Sequence, residues 1–214
     1  MNNEIAIKID NLNKKFKNHT IFKNFSLNIP KGKITTIFGV SGSGKSTLLN
    51  MIGLLDKYES GSIEILGKKT PKINSREAMK IRRNTISYLF QNFGLIESGT
   101  IYDNLSISLE YLKQRDKILE MEKALIEVGL HKPLNIQVYN LSGGEKQRLA
   151  IAMIMLKPSN VILADEPTGS LDHENRDYIM DKLVALNKKG KTIVIVSHDL
   201  KFKEISDKCI EIKN

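Results

Sequence analysis

Apolar and polar residues alternate with period two in three short stretches, Ile5-Ile7-Ile9, Phe25-Leu27-Ile29 and Ile63-Ile65. Alternation of this kind sets one face of a strand on a core and the other in water, and it predicts a small antiparallel sheet from about residues 1–32 and 58–70. Elsewhere the apolar residues run together, at Ile34 to Phe38, Val161 to Ala164 and Ile193 to Val196. Such runs suit parallel strands covered on both faces, so they predict a mostly parallel core sheet of α/β type. From about Thr100 to Gly129 the period is helical, with Leu105, Leu109 and Leu112 on one stripe and Ile118, Met121, Leu125 and Val128 on another. Gly129 predicts the stop of the second helix. Leu48, Leu49, Ile52 and Leu55 mark a helix packed on the sheet, and Leu149 to Leu156, apolar nearly all round and ending just before Pro158, reads as a buried helix. The expected organisation is a single α/β domain over residues 1–214 with a helical insertion at about 93–139. No repeat is visible, so any site is carried once.

Composition narrows the function classes. The chain has 214 residues, 41% of them hydrophobic, a net charge of 33 − 24 = +9, and one Cys. That hydrophobic share excludes wholesale disorder, and no apolar run approaches the ~20 residues needed to cross a bilayer. The start, Met1-Asn2-Asn3-Glu4, lacks the basic and apolar regions of a signal peptide, and one Cys cannot form an internal disulfide; a reducing cytoplasm is expected. The basic excess is mostly Lys, with six Arg, and it is scattered. Clustering is what neutralises a phosphate backbone, so no nucleic-acid partner is expected, and a weak attraction to an anionic membrane surface stays open.

Gly39-Val40-Ser41-Gly42-Ser43-Gly44-Lys45-Ser46-Thr47 fits the phosphate-binding pattern G-x-x-x-x-G-K-[ST]. It follows an apolar strand and precedes a helix, as the chemistry requires. Glycines let the backbone turn its N–H groups inward around a phosphate, and the helix N-terminus adds partial positive charge. Lys45 would neutralise the β- and γ-phosphates and the Ser46 hydroxyl would ligate Mg²⁺. Val161-Ile162-Leu163-Ala164-Asp165-Glu166-Pro167 is a buried strand ending in two carboxylates. Ligands of parallel α/β sheets collect at the carboxyl ends of strands, so Asp165 would hold the hydrated Mg²⁺ and Glu166 would orient or deprotonate an attacking water. Leu141-Ser142-Gly143-Gly144-Glu145 opens the buried helix. Ser142 and Glu145 have capping-box spacing, so a plain helix cap is one reading; the two glycines also expose N–H groups to which an anion could come close.

Together with the phosphate loop, Leu141-Ser142-Gly143-Gly144-Glu145-Lys146-Gln147-Arg148 resembles the signature motif of ATP-binding cassette (ABC) proteins. The resemblance covers nearly the whole chain. It implies a P-loop NTPase fold in which the core outside the antiparallel sheet and helical insertion is RecA-like. Gln91, in Leu89-Phe90-Gln91-Asn92-Phe93, matches the Q-loop glutamine, which links the Mg²⁺ and water region to a transmembrane partner. Ser170-Leu171-Asp172 matches the D-loop, His198 the switch histidine at the γ-phosphate, and Phe16 the aromatic stacked on adenine. His19 and His131 fit no motif and are expected on the surface.

The resemblance further implies a head-to-tail homodimer in which the P-loop of one copy and Ser142, Gly143 and Gly144 of the other enclose each ATP. A separate transmembrane permease would then place the chain on the inner face of the cell membrane. Gly53-Leu54-Leu55-Asp56, Phe90-Gln91-Asn92-Phe93-Gly94-Leu95-Ile96 and Asp165 to Asp172 resemble the macrolide-exporter and lipoprotein-release subfamily, with a likeness to ATPases of lactococcin-type bacteriocin exporters. Glu145 replaces the commoner Gln of the signature, and Met153 stands where many relatives carry Arg. An alternative is a non-transport cassette acting on nucleic acid or the ribosome. A GTPase would need an Asn-Lys-x-Asp motif, and Asn187-Lys188-Lys189-Gly190 lacks its Asp.

Overall fold

The computed structural model describes residues 4–17, 19–109, 116–169 and 172–212. Met1 to Asn3, Leu112, Ser170 and Leu171, each used in the sequence reading, lie outside the described residues. The first sheet is antiparallel, in the order β2 (His19–Pro30), β1 (Ile5–Phe16), β4 (Ser60–Ile65), β5 (Lys68–Lys69). The second has the order β6 (Ile86–Leu89), β7 (Val161–Asp165), β8 (Thr192–Ser197), β3 (Ile34–Phe38), β9 (Lys208–Glu211), and all its pairings are parallel.

The lack of alternation in the parallel strands has a direct cause. Ile162, Ala164, Ile193 and Ile195 face the cluster built with α3 (Ile101–Leu109), α4 (Lys117–Glu127), α5 (Gly143–Leu156) and α6 (His173–Lys188). Val161, Leu163, Val194 and Val196 face the opposite cluster, shared with α1 (Lys45–Ile52) and the antiparallel sheet. Both faces are dry, so the central positions of β7 and β8 are apolar on either side. Strand β3 interrupts its run with buried Thr35 and Thr36; the Thr36 hydroxyl pairs with Ser206 Oγ at 2.6 Å.

Three sequence expectations need correction. Ile5 is 42% exposed while Ala6 and Ile7 are buried, because the β1–β2 register shifts between Ile5 and Ile7 and breaks the alternation. Helix α1 ends at Ile52 with Gly53 as its C-cap, so Leu55 lies beyond it and is exposed. Ile118 is 54% exposed, whereas Met121, Leu125 and Val128 are buried, so the second helical stripe begins one turn later than its spacing suggests. Gly129 does terminate α4: with φ +64° it lets its own N–H and that of Leu130 turn back to the carbonyls of Ile126 and Leu125. Helix α5 packs on α3 and α4 as well as on β6.

The loop after β6 is pinned by one buried side chain. Asn104 Oδ1 accepts the Ile96 N–H at 2.8 Å, and its Nδ2 donates to the carbonyls of Ile96 and Thr100 at 3.1 and 2.9 Å. Asn104→Leu would remove the acceptor of the Ile96 N–H, whereas the carbonyls of Ile96 and Thr100 keep the N–H groups of Gly99 and residue 104. It is expected to lower stability by about 1–3 kcal/mol, read as a fall in urea midpoint with an unchanged slope.

Candidate functional site

The loop between β3 and α1 is built to receive an anion. Helices α2 (Arg76–Asn84), α4, α5 and α6 each have a side-chain N-cap, from Ser75, Asp116, Ser142 and Asp172. Helix α1 begins at Gly44, φ +89°, with no side-chain cap and no acidic residue in its first turn. Its first N–H groups are therefore left for an external acceptor. Glycine at 44 is also dictated by space, since a Cβ would lie 2.5 Å from Ile21 and 3.0 Å from Phe22.

The Lys45 ammonium is folded back into this loop, donating to the carbonyls of Gly39 and Val40 at 2.8 and 3.0 Å. Gly39 and Ser43 form the loop's inner wall; Ser43 is buried and a Cβ at Gly39 would strike its Oγ. Phe16, Ser41, Gly42, Gly44, Lys45, Ser46, Thr47, Gln91, Glu166 and His198 line an open cleft of about 680 Å³, together with Ile21 and Val40. Five separate stretches of sequence meet there.

Of the acidic pair, Glu166 lines the cleft and Asp165 does not. Asp165, at the end of β7, accepts from Ser46 Oγ at 2.8 Å. Burial pushes its carboxyl above the usual range, opposed by the Ser46 bond and assisted by the Glu166 charge. Glu166 takes φ +44°, a left-handed conformation a non-glycine residue adopts only when its surroundings hold it. Its Oε2 accepts from Ser197 Oγ at 3.0 Å and the His198 N–H at 3.3 Å, and lies 3.0 Å from His198 Nδ1. Its Oε1 lies 3.9 Å from Lys45 Nζ. The His198 side chain is otherwise open, at 70% exposure.

The oxygens of Ser46 and Asp165 suit a small hard cation. No group of three or more His, Cys, Asp or Glu side chains among the described residues could cage a metal, so a cation here would take its remaining ligands from water and phosphate, the habit of Mg²⁺. Phe16 is half-exposed at the cleft's edge. The Lys14 ammonium, anchored by Asp56 at 2.9 Å and the Lys57 carbonyl at 2.6 Å, sits 4.4 Å from the ring centroid.

Ser142, Gly143 and Gly144 line no part of this cleft. Ser142 closes a complete capping box on α5, its N–H donating to Glu145 Oε2 at 2.9 Å and its Oγ accepting from the Glu145 N–H at 3.3 Å. The local cap reading and an exposed site thus hold together, since Ser142 and Gly143 are at the surface and a Cβ on Gly143 would meet nothing within 4 Å. Asp172 also lies outside the cleft; its carboxylate caps α6 through the Asn175 N–H at 2.8 Å, which, with the Asn175 side chain, holds it below the usual carboxylate range. His19 and His131 are exposed. Ser197, whose hydroxyl donates to Glu166, is part of the site without belonging to any motif of the sequence. The signal for Ser197 was its place at the end of a strand next to β7.

A parallel α/β sheet with a glycine loop, an uncapped helix start and an acidic strand end defines a P-loop nucleotide-binding domain. The family model for ABC transporters matches residues 22–169. This chain belongs to that family, as one of its ATP-binding cassettes. It is 38% identical over 197 residues to the macrolide export ATP-binding/permease protein MacB of Bartonella quintana (strain Toulouse), covering 91% of this chain and 30% of that protein. It is 37% identical over 210 residues to MacB of Campylobacter jejuni subsp. jejuni serotype O:23/36 (strain 81-176), covering 97% and 33%. The chain therefore spans about a third of the length of these relatives. Among solved structures it resembles the dimeric bacterial ABC transporter cassette MJ0796, with a TM-score of 0.88, 37% identity, and 97% and 94% of the two chains covered. The same cassette in a dimeric post-hydrolysis state bound to ADP and Pi matches with a TM-score of 0.87 and 35% identity.

Proposed function

We propose that this chain is the ATP-hydrolysing subunit of an ABC exporter, in which two copies close head to tail around ATP and drive a separate membrane permease. One observation carries the reading: each chain gathers its P-loop, Glu166 and His198 in one cleft, with Asp165 bonded to Ser46 beside it, while its Ser142–Gly144 segment lies outside that cleft with Ser142 and Gly143 exposed. The site is half built in one copy, and the dimeric cassette MJ0796 is a precedent for pairing.

In this reading the P-loop amides of Ser41 to Thr47 and the Lys45 ammonium bind the phosphates. Lys45 leaves the carbonyls of Gly39 and Val40 to do so. Ser46, Asp165 and Gln91 hold Mg²⁺, which when bound neutralises charge on the β- and γ-phosphates. Phe16 stacks on adenine with the face that Lys14 leaves free. Glu166 turns from Ser197 toward a water and takes its proton, while His198 donates to the γ-phosphate. The second copy supplies Ser142 and the N–H groups of Gly143 and Gly144 to the developing charge, and Asp172 lies beside them at the dimer seam. Binding energy thus closes the dimer, and loss of the γ-phosphate reopens it.

No helix among the described residues is long and apolar enough to cross a membrane. Leu55 and Ile107, both exposed, line a second cleft with Phe90, Phe93 and Met153, one residue from Gln91. We assign the permease contact to that surface, with the cassette held on the inner face of the membrane. The cargo is a peptide such as a bacteriocin, or another antimicrobial, unless the permease only transmits force. Tagged chain purified from native membranes is expected to bring down a permease in stoichiometric amount. Recovery without any membrane protein, with ATP turnover stimulated by nucleic acid, would favour the non-transport alternative, which the exporter names of the relatives do not support.

A further inference from the structure

The positive charge that looks scattered over the whole sequence is concentrated on one short segment. From Leu66 to Arg83, across β5, the turn after it and α2, four lysines and three arginines stand against one acid, Glu77, giving 7 − 1 = +6 of the net +9. Arg82 has a structural task there: its guanidinium donates to the carbonyls of Leu54 and Ile73 at 3.0 and 2.9 Å and clamps the turn to the chain beyond α1. Lysines elsewhere find carboxylates within the chain, as Lys14 does with Asp56, Lys33 with Asp207 and Lys146 with Glu97. Lys68, Lys72 and Arg76 are exposed, and their side chains make no hydrogen bond or ion pair among the described residues.

Helix α2 buries Ala78, with Ile81 and Arg82 half-buried on the same side. Arg76, Met79, Lys80 and Arg83 follow the spacing i, i+3, i+4 and i+7 and so share the opposite face. Met79 is 50% exposed among these cations, with Arg83 Nη2 3.8 Å from its Sδ. Arg76 opens the helix, where the positive end of the dipole disfavours a cation, so helix stability does not account for it. Glu77, on the flank of α2, and Glu64, opposite Lys69 in the β4–β5 pairing, offset only part of the charge.

We propose that the exposed face of α2, with Lys68, Lys69 and Lys72 before it, docks on the anionic phospholipid headgroups of the membrane that holds the permease. That this face turns to the bilayer rests on the permease contact assigned above: Arg82 and Leu55 line that cleft, so a membrane protein seated in it brings α2 to the headgroups. Clustered cations left without internal partners suit a surface of phosphates, each adding about five-fold to binding near an anionic leaflet. An apolar Met79 among them suits the boundary between headgroups and acyl chains. A nucleic acid would meet the same charge, but α2 carries no aromatic ring on which a base could stack.

Lys72→Gln, Arg76→Gln and Lys80→Gln combined take three charges from this face and none from the nucleotide cleft. The unaltered chain should bind mixed vesicles of phosphatidylglycerol and phosphatidylcholine, less tightly as salt rises, and should not bind vesicles of phosphatidylcholine alone. The triple variant should bind the mixed vesicles about 10²-fold more weakly, with urea midpoint and ATP turnover unchanged. A second variant, Lys8→Gln, Lys23→Gln and Lys188→Gln, removes the same charge from exposed positions on β1, β2 and α6 and should keep most of the affinity. Equal losses in the two variants would overturn the inference, because net charge alone would then explain binding. So would an unaltered chain that ignores anionic vesicles, or one that binds a duplex oligonucleotide more tightly than the vesicles through the same three residues. A permease recovered from native membranes, with no vesicle binding by the chain, removes the lipid contact alone. Vesicle binding through α2 with no permease recovered keeps the lipid contact and removes the permease.

Discussion

Glu166→Gln is expected to bind ATP normally and to hydrolyse it about 10²–10⁴-fold more slowly, the range that loss of a general base commands. The substitution keeps the size of the side chain and one oxygen that can accept from Ser197 and the His198 N–H, so the pocket's shape survives. It removes the charge that faces Lys45 at 3.9 Å and the basicity that a water would need. Without hydrolysis the γ-phosphate stays in place, and so does the contact it makes with the second copy. With MgATP the variant should therefore elute as a dimer of the 24.2 kDa chain, and as a monomer with ADP. Turnover close to that of the unaltered protein would remove Glu166 from the reaction.

Ser142→Asp is the second large effect. Asp caps a helix as well as Ser does, so α5 keeps its start. What changes is the sign of the charge offered to the neighbouring copy. Two unit charges about 4 Å apart repel by about 4 kcal/mol at an effective dielectric of 20, equivalent to about 10³-fold in dimer closure. ATP turnover should fall accordingly, whereas ATP affinity of the single chain should stay the same, because Ser142 lines no part of its own cleft. Gly143→Glu should behave alike, since a Cβ there would meet nothing within 4 Å. Gly144 is a poorer probe: a Cβ would lie 3.1 Å from Asn175 Oδ1, adding crowding to charge. If single-chain ATP affinity fell together with turnover, the segment would belong to its own copy's pocket.

Much of the chemistry could be read from residue order, because a phosphate loop, an acidic strand end and a capped glycine pair are local patterns. Buried parallel strands were equally plain, being apolar on both faces. Helix α2 left almost no trace, since Ala78 is its one buried residue and there is no stripe to see. Strand β9, Lys208–Glu211, sits at the sheet edge with polar residues on one side and gives little periodicity. Helix α6 did carry a signal, the buried Ile179, Leu183 and Leu186 following an Asp172 cap, but only tertiary packing shows its face. Tyr88 could not be found from the sequence at all. Its hydroxyl reaches Asn50 only because packing sets β6 against α1, two segments distant in sequence.

Mixing two inactive variants tests the shared pocket most directly. Lys45→Ala spoils the P-loop and keeps a sound Ser142 segment; Ser142→Asp does the reverse. If each pocket draws on both copies, an equimolar mixture should recover up to about a quarter of wild-type turnover, since half of randomly paired dimers contain one whole pocket out of two. A mixture as inactive as either variant alone, with mixed dimers shown to form, would contradict the account.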